Sequence, residues 1–278
     1  MHYKTLMSAP TTELPYGITV EVPPSYRLPG NDRIIPTHTQ LFRPELRAAE
    51  ALQHTYNRNP EVPELHVDFI GCSHGAEVDT TLAEHNRMMP GVPVRARGVD
   101  GNLTATEAAW LGRYFLPRRP KYEADLANNL EALREHGFAT DFEVVQEVFG
   151  IDRAEDYYQV DATPVRANHD VSFTQADLSQ GVPLAGQSHL IIAHNVFFFM
   201  EPEVATRVAS ELAGKLSLQG VFWMGDLGPA TTASMRMGTS GTNWGTWLPD
   251  TAKRFRDEFD LEPIVMGKQD LPVGFARP

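Results

Sequence analysis

Cysteine is nearly absent. Cys72 is the one thiol in 278 residues, which excludes an intramolecular disulfide and a cluster of thiolate metal ligands. Basic residues are also short, with 24 Lys and Arg against 36 Asp and Glu and a formal net charge of -12. That deficit argues against a general nucleic-acid binder, because phosphate neutralisation needs a basic field. It also disfavours an anionic membrane surface. Acidity implies nothing further, since many enzymes are acidic for solubility alone. No apolar run approaches the roughly 18–20 residues of a membrane span. Met1 to Thr5 lack the apolar stretch of a secretory signal. The expectation is a cytoplasmic protein with no nucleic-acid or membrane partner. No internal repeat or low-complexity tract is visible.

What is present is an ordinary globular composition, 42% hydrophobic and 22% charged. The length suits one large α/β domain with a small appendage. Pro10, Pro15, Pro23, Pro24, Pro29 and Pro36 crowd the first residues, and repeated loss of backbone donors rules against long helices there. The reading is an extended arm with one short strand at Ile18–Val22. A helix follows over about 44–57, with Pro44 in its first turn and Leu46, Ala49 and Leu52 on one face. The expected division is an arm and helix over 1–60 and a main domain over 61–278, with a small α/β insertion at about 115–170.

From Leu65 the text becomes more informative. Leu65 to Ile70 alternates and then turns apolar, as a partly buried strand does. It runs into Gly71-Cys72-Ser73-His74-Gly75 and then a helix over Ala76 to Asn86. A second strand, Val94 to Val99, ends at Asp100, and a helix is expected from Thr104 to Tyr114. Strand, glycine turn, helix, strand and acidic residue make a parallel βαβ unit. Leu126, Leu130 and Leu133 mark another helix over 122–136. The β-rich text at 157–175 suggests a hairpin-like excursion. A buried strand at His189–Ala193, a helix at 202–216 and a strand at Gly220–Gly225 complete the alternation. The predicted fold is a Rossmann-like, seven-stranded and mostly parallel sheet.

The turn at Gly71–Gly75 carries the first chemical hint. Small residues between a strand and a helix let a ligand approach the backbone, although a tight turn serving no ligand reads the same way. Asp100 ends the next strand, where a carboxylate can accept from both hydroxyls of a ribose. Its structural alternative is a cap of the following helix, for which Asn102 and Thr104 are also suited. The turn lacks the Gly-x-Gly-x-x-Gly pattern that seats a pyrophosphate, and Glu77 would repel one. An uncharged sugar carrying a sulfonium suits it better, which points from dehydrogenase chemistry toward methyl transfer.

Five ordered blocks over about residues 38–226 then resemble the chemotaxis-receptor glutamate methyltransferases. Gly71 to Glu77 resembles that family's CS-x-G-x-E turn. Thr39-Gln40-Leu41-Phe42-Arg43 is similar to its T-x-F-F-R segment. Asp100 followed by Ala108 to Tyr114, Val171 to Leu178, and Ile191 to Phe199 are similar to three further blocks. The resemblance implies S-adenosylmethionine as cofactor, with backbone contacts from Gly71, Cys72, Ser73 and Gly75. It places Glu77 near the methionine ammonium, Asp100 at the ribose, and Asp177 and Leu178 beside adenine. Asn195 and Val196 would close the pocket near the donor methyl. His194 and Arg43 would face the acceptor as the catalytic pair.

Departures shape the expected substrate. The family's arginine before the asparagine is His194 here, its tyrosine is Phe199, and its N-terminal helical domain is replaced by the proline-rich arm. A histidine can serve as base or hydrogen-bond donor where arginine would hold a carboxylate. The favoured acceptor is therefore a small molecule or specialised metabolite carrying a hydroxyl or amine. A protein glutamate of the chemotaxis type and a non-catalytic cofactor-binding protein are the alternatives. His194 also reads as a structural histidine, Phe197 to Phe199 as core, and Cys72 as a packed residue. His66, His85, His136 and His169 lack partners at metal-ligand spacing. Met235 to Trp247 reads as a flexible aromatic loop, either an acceptor lid or a surface connection.

Overall fold

The computed structural model describes residues 11–13, 19–21, 48–117, 130–145, 155–194, 196–197, 200–224, 244–265 and 272–278. In chain order the strands and helices are β1 (Thr11–Glu13), β2 (Thr19–Glu21), α1 (Ala48–Arg58), β3 (Leu65–Ile70), α2 (Ala76–Met88), β4 (Val94–Asp100), α3 (Leu103–Leu111) and β5 (Arg113–Pro117). They continue with β6 (Ala139–Val145), β7 (Glu155–Asp161), α4 (Thr163–Arg166), β8 (Asp170–Gln175) and β9 (Ser188–Ile192). The last are α5 (Pro202–Gly214), β10 (Leu216–Trp223), α6 (Trp244–Phe259), β11 (Glu262–Val265) and β12 (Pro272–Ala276).

Among the described residues these strands form two sheets. The larger has seven strands in the order β11-β12-β10-β9-β3-β4-β8. Its five strands from β10 to β8 run parallel, and β12 and β11 join antiparallel. The predicted seven-stranded, mostly parallel sheet is therefore present. The chain lays down β3, β4 and β8 outward in one direction, then returns to place β9 on the other side of β3. The carboxyl ends of β3 and β9 thus flank the switch point where an open α/β sheet has its crevice.

Alternation on β3 explains the two cores. Leu65, Val67 and Phe69 face one side and pack with Ala51, Leu52, Val78, Leu82 and Ala109 of α1, α2 and α3. Ile70 faces the other and packs with Ile191, Val196, Phe197, Val208, Leu212 and Phe255 beneath α5 and α6. A period of two along the strand builds both.

Four readings need correction. The excursion at 157–175 is not a hairpin: β7 pairs antiparallel with β5 and β6, whereas β8 joins the main sheet parallel to β4. The arm, expected to hold one short strand, contributes two, β1 and β2, which join β5, β7 and β6 in a five-stranded sheet in the order β1-β2-β5-β7-β6. The helix expected to reach Tyr114 stops at Leu111, because Gly112 turns left-handed at φ 61° and starts β5. Trp244 and Trp247 belong to α6 rather than to a loop, while 235–243 lie outside the described residues. Of the expected helix at 122–136, residues 130–135 are helical and 121–129 lie outside the described residues. No helix among those described is long and apolar enough to cross a membrane.

Candidate active site at the switch point

The turn between β3 and α2 is built from inside. Gly71 and Cys72 both donate their amides to the carbonyl of Val99, at 2.7 and 3.1 Å. Ser73, itself at φ 49°, donates its amide to Oδ2 of Asp100 at 2.8 Å. Gly75 donates to the Cys72 carbonyl at 3.0 Å. Four of the five turn residues thus give their amides to the protein's own acceptors. The turn is latched to the end of β4.

The two glycines are required by the protein's packing. A Cβ on Gly71, at φ 69°, would stand 2.5 Å from Cγ2 of Val196. A Cβ on Gly75, at φ 87°, would meet Ala109 at 3.0 Å and Phe173 at 3.3 Å. Of the two readings of these small residues, room for a ligand or a tight turn, the packing accounts for the second: the protein's own Val196, Ala109 and Phe173 lie against them. Gly98 in β4 does the same, since a Cβ there would press on Phe173 and the sulfur of Cys72. It was missed, although a glycine inside a strand signals a close approach. Arg166 holds α2 from outside, donating Nε and Nη2 to the carboxylate of buried Asp79 at 2.6 and 2.7 Å and stacking over Phe173 at 5.1 Å.

Asp100 sits at the carboxyl end of β4. Its Oδ1 accepts from the Asn102 amide at 2.8 Å, opposite the Ser73 contact on Oδ2. Burial raises its pKa above the ordinary carboxylate range, and the hydrogen bonds from Asn102 and Ser73 partly restore it. The cap of α3 is Asn102, whose side chain accepts from Ala105 at 3.3 Å. Asp100 is therefore not the cap of that helix.

Across the crevice, Glu77 in the first turn of α2 touches His194 just beyond β9. Glu77 Oε1 and His194 Nδ1 are in hydrogen-bond contact, and both residues are only 4% exposed. His74, which went unremarked in the sequence, is buried with Nδ1 at 3.1 Å from the Ser73 hydroxyl. Burial depresses its pKa to about 4. The Cys72 thiol is pushed well up by burial, then by Asp100 and Glu77, so it stays protonated and packed.

Leu178 is buried in the cluster containing Ile70, Val99 and Val196. The Ala176 amide donates to the Asp100 carbonyl at 2.9 Å, so this segment runs beside β4's end. Asp177 is exposed and caps the short turn Leu178–Gln180 through Ser179. The structure thus gathers Gly71, Cys72, Ser73, Gly75, Glu77, Asp100, Leu178, His194 and Val196 at one end of the sheet. Asp177 stands at the rim. Arg43, Asn195 and Phe199 lie outside the described residues.

A phosphate seat needs several backbone amides aimed outward, and this turn spends its own inward. Glu77 and Asp100 bring two carboxylates to this end of the sheet. Such a site suits hydroxyl donors and a cation, and the residues fit a ribose joined to a sulfonium amino acid better than a dinucleotide.

No family model and no curated protein matches this chain. Solved structures show distant likenesses. The chain is 14% identical to the plantazolicin methyltransferase BpumL in complex with SAH, with 78% of this chain and 62% of that one covered and a TM-score of 0.39. It is 12% identical to the N-methyltransferase NodS from Bradyrhizobium japonicum WM9, also with SAH, with 83% and 85% covered and a TM-score of 0.45. A putative S-adenosyl-L-methionine-dependent methyltransferase from Methanococcus maripaludis is 17% identical, with 86% and 85% covered and a TM-score of 0.39. The chain thus spans less than two thirds of the length of BpumL. Likenesses this distant carry no argument about activity.

Proposed function

We propose that this chain is an S-adenosylmethionine-dependent methyltransferase whose acceptor is a small molecule with a hydroxyl or amine. The observation that carries this reading is the half-buried Asp100 carboxylate beside the switch point, next to a turn that gives four of its five amides to the protein's own acceptors. Asp100 would accept the ribose hydroxyls, with Gly71, Cys72, Ser73 and Gly75 forming the floor. Leu178 would flank the adenine from the cluster it shares with Ile70 and Val99, with Asp177 at its rim. Val196, together with Asn195, would close the pocket over the reacting centre. Bound there, the cofactor supplies an electrophilic methyl group on sulfur. His194 and Arg43 are assigned to the acceptor.

The acceptor class follows from charge. Glu77 puts a buried carboxylate against His194, and like charge at that depth disfavours an acceptor carboxylate. A neutral hydroxyl or amine meets no such repulsion. This favours a metabolite over the receptor glutamate that the sequence resemblance suggests.

Calorimetric titration tests the reading. The expected result is micromolar-range binding of S-adenosylmethionine and S-adenosylhomocysteine and none of NAD. Asp100→Ala should weaken binding by about 1.5–3 kcal/mol, the scale of lost charge-assisted hydrogen bonds. Asp100→Asn with an unchanged circular dichroism spectrum controls for the latch on Ser73. Unchanged affinity in both variants overturns the ribose assignment.

A further inference from the structure

The contact between Glu77 and His194 joins two residues 117 positions apart. It ties the first turn of α2 to the end of β9, and both partners are almost wholly removed from water. A carboxylate oxygen only accepts, so Nδ1 must carry the proton in that contact. The lone pair of a neutral ring then resides on Nε2. Ile70, Ala193, Val196 and Phe197 at the same end of the sheet are buried and apolar. A buried polar contact in an apolar frame is costly unless both partners satisfy each other. Its effect is to fix one tautomer and one ring orientation.

We infer that Glu77 is a positioning residue that sets His194 as a general base through Nε2, and that the acceptor is accordingly a protic group, a hydroxyl or an amine. This deepens the proposed methyl transfer and rests on it. The proton leaves the acceptor oxygen or nitrogen for Nε2, whose lone pair becomes the new N–H bond. The acceptor's freed electron pair forms the bond to the methyl carbon as the carbon–sulfur bond breaks, and that bond's pair stays on sulfur. The positive charge that appears on the ring is held by the carboxylate behind it, as in any base oriented by a third group. Other titratable groups stand at this end of the sheet: Cys72 and His74 on the turn and Asp100 at the end of β4. Asp100 already serves the amides of Ser73 and Asn102, and Glu77 is the carboxylate in contact with the ring.

The competing role for Glu77 is to bind the cofactor's ammonium, and the two roles separate experimentally. In the full chain, nitrogen-15 labelled histidine reports the His194 tautomer directly. The unaltered protein should show Nδ1 protonated, and Glu77→Leu, which removes the acceptor, should let the proton redistribute to Nε2. Glu77→Gln, which keeps the shape, should lower turnover by about 10–100-fold and move the acidic limb of the rate profile to lower pH. Its affinity for S-adenosylhomocysteine should change by less than about threefold. Glu77→Asp should recover part of the turnover. An Nε2-protonated ring in the unaltered protein overturns the inference. So does a tenfold or greater loss of S-adenosylhomocysteine affinity with tautomer and rate profile unchanged, which would make Glu77 a cofactor ligand. If the unaltered protein binds no S-adenosylhomocysteine, the methyltransferase reading itself falls, and this inference falls with it.

Discussion

The two ends of the central sheet hold their histidines in different ways. At the amino end, His169 accepts the Val94 amide on Nδ1 at 3.2 Å and its Nε2 faces the Asn86 carbonyl oxygen at 2.8 Å. His85 gives Nε2 to the Val92 carbonyl at 2.7 Å and takes the Tyr56 hydroxyl on Nδ1. His189 accepts the His66 amide on Nδ1 at 3.0 Å. His169 and His85, each held by one donor and one acceptor, are neutral joints between strands and helices. At the carboxyl end, His194 faces a carboxylate instead. The same residue type is used as mortar at one end and, in our proposal, as a proton acceptor at the other. Substitutions should therefore divide: stability without binding at the amino half, binding or turnover at the carboxyl end.

The largest expected effect tests the structural half. Asp68 is wholly buried in β3, accepts Nε and Nη2 of Arg97 at 2.6 and 2.9 Å, and also meets the Ser188 hydroxyl. Asp68→Ala would leave a guanidinium that is only 23% exposed without its carboxylate, holding just the Ala185 carbonyl and the Ser188 hydroxyl. The loss should be about 3 kcal/mol, the low end for breaking a buried pair because Arg97 keeps some solvent. Urea unfolding measures it. Folded protein should retain its affinity for S-adenosylhomocysteine, and a tenfold loss of affinity would erase the division between the ends.

Much of the parallel sheet could be read from local text, because its cues are local. Period two at Leu65–Ile70, the glycine turn and the acid at Asp100 all fall within one βαβ unit. What escaped was decided by distant partners. β8 looked like half of a hairpin because the strand it joins, β4, lies some seventy residues earlier. Gly112 ended a helix whose composition favoured continuing. At the site, most of the expected residues gather at one end of the sheet, but the contacts that hold them there could not be read from the sequence. Gly71 and Gly75 face protein atoms, and the amides of Gly71 to Ser73 are already engaged. Neither the Glu77–His194 contact nor the Asp100–Ser73 latch leaves a trace in spacing, since each depends on how two chain segments converge.

The second prediction sharpens the carboxyl end. Gly71→Ala would place a methyl against Val196 and hold a non-glycine residue at φ 69°. A cost of about 2 kcal/mol is expected from overpacking and left-handed backbone together. In a Val196→Ala background the steric part should vanish and about 1 kcal/mol remain. Equal costs in both backgrounds would show that the glycine does not serve the Val196 contact.

Acid should reveal the neutral histidines at both ends. Burial depresses His169, with His85 adding to the effect, and burial alone depresses His74, each to about 4. In the unfolded chain each would bind a proton near pH 6.5. Between those values the unfolded state holds more protons, so stability falls as pH drops from about 6.5 toward 4. Allowing for the partial exposure of His169, the combined loss by pH 5 should be about 2–3 kcal/mol. His169→Asn should flatten this slope. An unchanged slope would mean that the amino-end ring is not held neutral.

The smallest effect separates two neighbours that the sequence could not tell apart. Asp100 and Asn102 both stand before α3, and either could cap it. The structure divides the work: Asn102 accepts from Ala105 at 3.3 Å, while Asp100 accepts from Ser73 and Asn102. Asn102→Ala removes only the cap, so it should cost about 1 kcal/mol in urea unfolding. At 3.3 Å the bond is long, which keeps the figure from the upper end of the capping range. The carboxylate of Asp100 would remain latched, because the amide it accepts at residue 102 belongs to the backbone. S-adenosylhomocysteine affinity should therefore stay within about twofold, in contrast to the Asp100 variants. If Asn102→Ala weakens binding as much as Asp100→Ala does, the ligand is sensing the geometry of the whole β4–α3 corner, and Asp100 loses its separate claim to the ribose.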